Sequence, residues 1–107
     1  SMESEGRLRL PTESDDTRHA WNLFTIRIPG GHRKKVKAFL ADRGIETRIY
    51  YPMPLHLQPC LANHGHVRGD FPAAEAASDE VLSLPIYPGM LEPQIAAVID
   101  GLRAALG

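Results

Sequence analysis

The chain has 107 residues, 43% of them hydrophobic, and its 12 basic and 13 acidic side chains leave a net charge of −1. That length suits one small domain with one core. The balanced charge provides no field that would attract DNA, RNA or anionic lipid, so we expect no nucleic-acid and no membrane partner. A single cysteine, Cys60, excludes an internal disulfide. With no apolar run near roughly 20 residues and no secretory leader pattern, the sequence predicts a cytoplasmic protein.

The first 18 residues differ in character from the rest. Ser1-Met2 looks like the remnant of a cleaved tag. Residues 3–18 contain only three apolar side chains: Leu8, Leu10 and Pro11. We therefore predict a tag remnant and polar linker over residues 1–18, and a domain over residues 19–107. From this junction we expect that the natural protein begins upstream and that this chain is a piece of it.

The domain begins with two strong patterns, a strand over residues 19–28 and a helix over residues 32–43. In the strand, the apolar side chains that fall on both faces are Trp21, Leu23, Phe24, Ile26 and Ile28. This pattern predicts a central strand that is covered on both sides. In the helix, Val36, Phe39 and Leu40 recur at helical spacing, and Gly44 stands where a left-handed residue ends a helix.

Residues 45–49 alternate between apolar and polar, which predicts a second strand. Pro52 and Pro54 then remove two backbone donors and hold their neighbours extended. The result is a stiff segment, Tyr50–Gln58, which we call the arm. Four of its side chains donate and accept hydrogen bonds, the chemistry that orients a polyhydroxylated ligand, and they are our candidate ligand-binding residues: Tyr50, Tyr51, His56 and Gln58. The alternative is that Tyr51 and Leu55 pack structurally, with their polar ends in water.

The remainder of the chain predicts two helices and a short strand. A helix with Pro72 in its first turn runs to about Leu82, and Pro85 limits the following strand to an edge or to a very short length. The last helix begins at Glu92-Pro93 and has the cleanest amphipathic spacing in the chain. The order β-α-β-α-β-α predicts an α+β fold: a small sheet of about three strands with the helices packed mainly on one face.

No catalytic or metal-binding group emerges from the spacing. His56, Cys60 and His64 recur every four residues, but Pro59 and Gly65 break any helix that would align them for a metal. The Gly30-Gly31 pair lacks the lysine and spaced glycines of a phosphate loop. Four acidic residues in the second half of the chain read as helix-surface or capping groups: Asp70, Glu75, Asp79 and Glu80.

Three blocks carry a resemblance to a known family: Gly44–Gln58, Gly69–Glu75 and Leu82–Pro88. They resemble the C-terminal part of the DegT/DnrJ family, which are pyridoxal-phosphate-dependent nucleotide-sugar aminotransferases of fold type I. The resemblance implies a small domain that closes over the cofactor site of a much larger domain. It implies a homodimer that moves an amino group from glutamate or glutamine to a keto-sugar nucleotide. It also implies that Tyr50, Tyr51, His56 and Gln58 lie near the substrate.

The sequence departs from that family in one respect: the large domain, which carries the Schiff-base lysine and the phosphate-binding loop, is absent. The lysines are confined to one predicted helix, at Lys34, Lys35 and Lys37. We therefore expect this chain alone to catalyse nothing and to bind no pyridoxal phosphate. Two alternatives stay open: a stand-alone binding or regulatory module, and a fragment of a related pyridoxal-phosphate-dependent sugar dehydratase. Apolar residues left uncovered, such as Met53, Leu55, Leu57 and Met90, predict self-association.

Overall fold

The computed structural model describes residue 3 and residues 5–107. Their secondary structure comprises β1 (Phe24–Arg27), α1 (Arg33–Asp42), 3-10 helices at Leu55–Leu57 and Pro59–His64, α2 (Pro72–Glu80), β2 (Val81–Leu84) and α3 (Glu92–Leu106). The predicted α+β class with a small sheet is confirmed. None of the helices in the described residues is long and apolar enough to cross a bilayer.

The sheet is built on one antiparallel pair, β1 and β2, in which Ile26 lies opposite Leu82. A single backbone bridge extends it on each side, from Arg9 to Arg27 and from Arg48 to Ser83. The second predicted strand, over residues 45–49, is thus reduced to its bridge at Arg48.

Neighbouring residues of β2 explain that reduction. An antiparallel ladder centred on Arg48 and Ser83 would continue through pairs at Pro85 and Val81. Pro85 has no N–H to donate. The Val81 N–H is already bonded to the Ala77 carbonyl at the end of α2. The ladder is therefore limited to the single pair of Arg48 and Ser83.

The first strand is also shorter than predicted, four residues instead of ten. The Trp21 ring stacks on His19 at 3.9 Å between centroids, outside the ladder. Leu23, predicted to be covered, is 47% exposed, whereas Ile26 and Ile28 are fully buried. The expectation of apolar cover on both faces is therefore wrong for the first half of that segment.

The core lies between one face of the sheet and the helices α1 and α3. It contains Ile26, Ile28, Val36, Leu40, Leu82, Val98 and Leu102. Burial of each such side chain stabilises the fold by roughly 1.5–3 kcal/mol. The two helices approach closely at Gly101, where an added Cβ would lie 2.8 Å from Ile45 Cδ1 and 2.9 Å from Leu40 Cδ2. Gly44 has the positive φ, 74°, that the pattern predicted.

The helix α2 runs directly into β2, with no loop between Glu80 and Val81. It begins with Pro72 in its first turn, as predicted, and ends two residues earlier than predicted because Val81 enters the sheet. Helix α2 and strand β2 therefore form one continuous helix–strand unit.

Part of the predicted linker packs on the domain. Leu8 is 3% exposed, and the backbone of Arg9 exchanges hydrogen bonds of 2.8 and 2.9 Å with Arg27. The Arg7 guanidinium donates to the Leu106 carbonyl at 2.9 Å, at the end of α3. The domain boundary at residue 18 stays a prediction. Residues 7–9 nevertheless pack as part of the domain, which we call the lobe.

Candidate functional site

The arm leaves the sheet at Arg48, whose backbone is bonded to Ser83 in both directions, at 3.1 and 2.7 Å. Just before this point, the Lys37 ammonium donates to the Thr47 carbonyl at 2.6 Å and to its hydroxyl at 3.1 Å. Thr47 is 3% exposed. The start of the arm is thus fixed by α1 and by β2. Lys37 therefore has a structural contact.

The two tyrosines stand at the exposed part of the arm. Tyr50 is 42% exposed and Tyr51 is 71% exposed. Their rings lie 5.7 Å apart, edge to face, and the peptide bond between them is cis. Both phenols are therefore available to an external hydroxyl or phosphate oxygen. Gln58 braces the arm, because its side-chain amide donates to the Met53 carbonyl at 3.4 Å.

His56 lies differently from the other candidates. Its side chain is only 7% exposed, and its Nε2 lies 3.3 Å from Glu75 Oε2 on α2. The two atoms are at ion-pair distance but are not aligned for a hydrogen bond, so Nε2 has no hydrogen-bond partner among the described residues. The Phe71 ring packs edge-on against the imidazole at 4.8 Å. The predicted substrate contact of His56 stays a prediction, and in this structure its ring faces its own lobe.

Glu75 is the residue that the sequence analysis missed. It is 7% exposed, although it was expected on the helix surface or at a cap. The Gly69 N–H donates to both carboxylate oxygens, at 2.8 and 2.9 Å, and the Phe71 N–H donates at 3.2 Å. Its oxygen also lies 3.6 Å from the Arg68 guanidinium. The Gly69 hydrogen bonds, above all, lower the pKa of Glu75 from its ordinary value of 4.5, so the carboxylate is ionised at neutral pH.

The signal that could have revealed Glu75 is its place in helix α2. Phe71 precedes the helix and offers no side chain to cap it. A carboxylate in the first turn is the available acceptor for the free N–H groups at that end. The sequence therefore contained the capping role, but it could not show that the cap would be buried against the arm.

The described residues form two concave surfaces, and only the smaller one is lined by residues of the arm. The smaller, of about 380 Å³, is lined by Leu55, His56, Leu61, His64, His66, Phe71 and Ala74. The larger is an apolar groove of about 720 Å³ between the N-terminal segment, the end of β2 and α3. Leu8, Phe24, Met90 and Ile99 are among the residues that line it. Its lining is that of a surface that packs on protein rather than one that holds a polar substrate.

A metal ion and a Schiff-base cofactor place different demands on the described residues. They contain no set of three or more histidine, cysteine or carboxylate groups close enough to hold a metal. A Schiff-base lysine needs a desolvated pocket that lowers the amine's pKa. Lys34 and Lys35 are exposed, and Lys37 is engaged with Thr47. The lysines of this chain therefore do not fit the pyridoxal phosphate that the resemblance implied for the parent enzyme.

The comparison with known proteins supports the family resemblance that the three sequence blocks carry. The sequence profile of the DegT/DnrJ/EryC1/StrS aminotransferase family matches residues 2–103. The chain is 44% identical over 90 residues to the pleiotropic regulatory protein of Geobacillus stearothermophilus, covering 84% of this chain and 24% of that protein. It is 42% identical over 94 residues to the dTDP-3-amino-3,4,6-trideoxy-alpha-D-glucose transaminase of Streptomyces venezuelae, covering 88% and 24%.

A solved structure shows the same fold within a larger chain. NtdA from Bacillus subtilis, crystallised with its bound cofactor PMP, superimposes with a TM-score of 0.82 at 28% identity. The match covers 98% of this chain and 24% of that chain. This chain therefore spans about a quarter of the length of the relatives that it matches.

Proposed function

Because the chain belongs to the DegT/DnrJ/EryC1/StrS aminotransferase family, we propose that it is the C-terminal, substrate-contacting lobe of a pyridoxal-phosphate-dependent sugar aminotransferase. The parent enzyme transfers an amino group from glutamate or glutamine to a keto-sugar nucleotide. This proposal is supported by the similarity to a dTDP-sugar transaminase over about a quarter of its length. We further propose that the parent works in the cytoplasm, in agreement with the single cysteine.

The observation that carries the proposal is the exposure of the two phenols on a braced arm. The rings of Tyr50 and Tyr51 are held 5.7 Å apart, and Tyr51 is 71% exposed. Sugar hydroxyls and phosphate oxygens are the ligands that paired phenols bind. We propose that Tyr50, Tyr51 and Gln58 touch the substrate directly. His56 remains in the predicted set, in the orientation described above.

The cofactor belongs to the part of the parent that this chain lacks. Pyridoxal phosphate supplies the electron sink that makes amino transfer possible. Because the lysines here do not fit it, we propose that the isolated chain is inactive. An absorbance scan after addition of pyridoxal phosphate should show no aldimine band that survives dialysis. A band that persists would contradict this.

The function is tested on the parent, obtained by extending the coding sequence upstream of residue 3. Tyr51→Phe should raise the KM for the keto-sugar nucleotide about tenfold, because one hydrogen bond to the ligand is lost. The cofactor absorbance should not change. Tyr87→Phe is the matched control, since Tyr87 is also exposed, at 48%, but lies outside the arm. Equal effects of the two variants, or no amino transfer by the parent, would overturn the proposal.

The similarity to a pleiotropic regulatory protein favours a second candidate, a binding or regulatory module that reuses this lobe. The same parent distinguishes the two. A regulator would bind a nucleotide sugar without consuming glutamate or glutamine. The dehydratase alternative is separated by its products, because a dehydratase releases water from the sugar and leaves the amino donor unchanged.

We propose that the apolar groove and the exposed side chains of the arm are covered in the parent by the large domain. The groove is wide enough for several side chains, and Met53 and Leu55 are 43% and 73% exposed. In the isolated chain these surfaces should drive concentration-dependent dimerisation, as the sequence predicted. Sedimentation over a wide concentration range measures it. A monomer at the highest concentration would contradict the expectation.

A further inference from the structure

The arm is attached to the lobe at two places, and both lie on the same continuous unit. One end is the backbone bridge from Arg48 to Ser83 in β2. The other is the contact of His56 with Glu75 in α2, at 3.3 Å. Because α2 passes into β2 without a loop, these two attachment points keep a fixed separation. The exposed tyrosines lie between them.

Glu75 is the only ionised group at the second attachment that is itself buried. Its carboxylate is satisfied by the N–H groups of Gly69 and Phe71, so its position is fixed before the arm is considered. A buried carboxylate that lost its neighbours would be costly, which favours any arrangement that keeps a polar ring beside it. The His56 imidazole fills that place, and Phe71 closes the contact from the other side.

The arm has little else to hold it between these points. Pro54 is buried, whereas Tyr51, Pro52 and Met53 are exposed. The prolines restrict the backbone but make no hydrogen bond with the lobe. If His56 is released, the exposed stretch between Ile49 and Pro54 is therefore held by apolar contacts alone: partly buried Ile49 packs on the core before it, and Pro54 is buried after it.

We propose that Glu75 is a positioning residue for the arm: its buried carboxylate holds His56, and with the Ser83 bridge it presents Tyr50 and Tyr51 in one arrangement. That the presented side chains meet a sugar substrate rests on the proposed function. The holding of the arm does not, and it is measurable in this chain alone.

The test is backbone 15N relaxation of the 107-residue chain at neutral pH. In the wild type we expect order parameters near about 0.85 at Tyr51 and Met53. Glu75→Gln should lower them to below about 0.6, while the amides of β1 and β2 keep their values. Asp79→Asn is the matched control, because it makes the same carboxylate-to-amide change at an exposed position of the same helix. It should leave the arm unchanged.

A second variant keeps the test decisive if the Glu75→Gln protein does not fold. His56→Leu removes the imidazole from the arm side, retains an apolar contact with Phe71 and leaves the capping bonds of Glu75 intact. It should mobilise the same amides. In the double variant the effects should not add, because both substitutions break one contact. If the Glu75 variant does not fold, the His56 variant decides.

Arm amides that keep the wild-type order parameters in the folded variant, or additive effects in the double variant, would overturn the proposal. Neither result bears on amino transfer by the parent. Conversely, a parent without transaminase activity would leave the relaxation result standing. The failure of the positioning role and the failure of the proposed function are thus distinguishable.

Discussion

Different interactions hold the packed side of the lobe and the arm in place. Between α1, α3 and the sheet, five large side chains are less than 2% exposed and make no polar contact. The arm, by contrast, is attached by one backbone bridge and one histidine–carboxylate contact, and one lysine fixes Thr47 just before it. Apolar packing is spread over many atoms and tolerates small shifts, whereas each attachment of the arm is a single point. Stability should therefore respond most to the core, and arm geometry to individual polar groups.

The largest expected effect is in the core. Leu40 is fully buried between α1, α3 and the sheet. Leu40→Ala should lower the free energy of unfolding by about 2–5 kcal/mol, from lost burial and the cavity left behind. Urea denaturation measures it. Leu55→Ala, the same change in the 73% exposed arm, should cost less than about 0.5 kcal/mol. Comparable losses would erase the contrast between the two regions.

A smaller loss is expected where the helices touch. Gly101→Ala places a methyl group within 3 Å of Ile45 and Leu40 side-chain atoms. Overpacking of this kind costs about 1–3 kcal/mol, partly offset by the better helix propensity of alanine, about 1 kcal/mol. Thermal unfolding should show the net loss. Adding Ile45→Val, which removes the clashing Cδ1, should restore much of it, and strictly additive losses would contradict the geometry.

Removal of the lysine attachment should cost less still. Lys37→Met takes away both hydrogen bonds to Thr47, whose carbonyl and hydroxyl are buried. We expect a loss of about 1 kcal/mol, together with faster amide exchange at Arg48. Lys35→Met on the same helix is the control, because Lys35 is exposed. Indistinguishable variants would show that the Lys37 contact carries no stability.

The smallest expected effect is the loss of stability at acidic pH. Hydrogen bonds from Val67 and Gly69 lower the pKa of Asp70 and of Glu75, respectively, below their ordinary values of 3.8 and 4.5. Both groups therefore bind protons more weakly in the folded state, and their stabilisation is complete above about pH 4.5 and lost as pH falls through the lowered values. Amide shifts of Val67 and Gly69 between pH 6 and pH 3 should report it. In Glu75→Gln the Gly69 response should vanish while the Val67 response persists.

Much of the packed side was predictable, because it depends on local periodicity. The spacing of Val36 and Leu40, the glycine after α1 and the amphipathic pattern of α3 all reappear as predicted. The strand over residues 45–49 was not predictable. Its failure depends on Pro85 and Val81, which are distant in sequence and whose N–H groups are missing or already used. A strand needs donors from its neighbour, and a single-segment pattern contains no information about them.

The polar attachments of the arm could not be predicted from the sequence for a related reason. The sequence indicated a histidine on a stiff segment and a carboxylate on a helix, but not that they would meet 19 residues apart. Arg33 and Lys37 both lie on α1, and both donate to backbone carbonyls of distant segments, at Ser78 and Thr47. Long polar side chains reach partners that no helical period encodes.

The Arg7 guanidinium that grips the last turn of α3 has a mechanical consequence. It links two segments that lie 99 residues apart in the sequence through one side chain. Loss of this hydrogen bond should therefore release the N-terminal segment and the end of α3 together, while the side chains buried between α1, α3 and the sheet keep their packing.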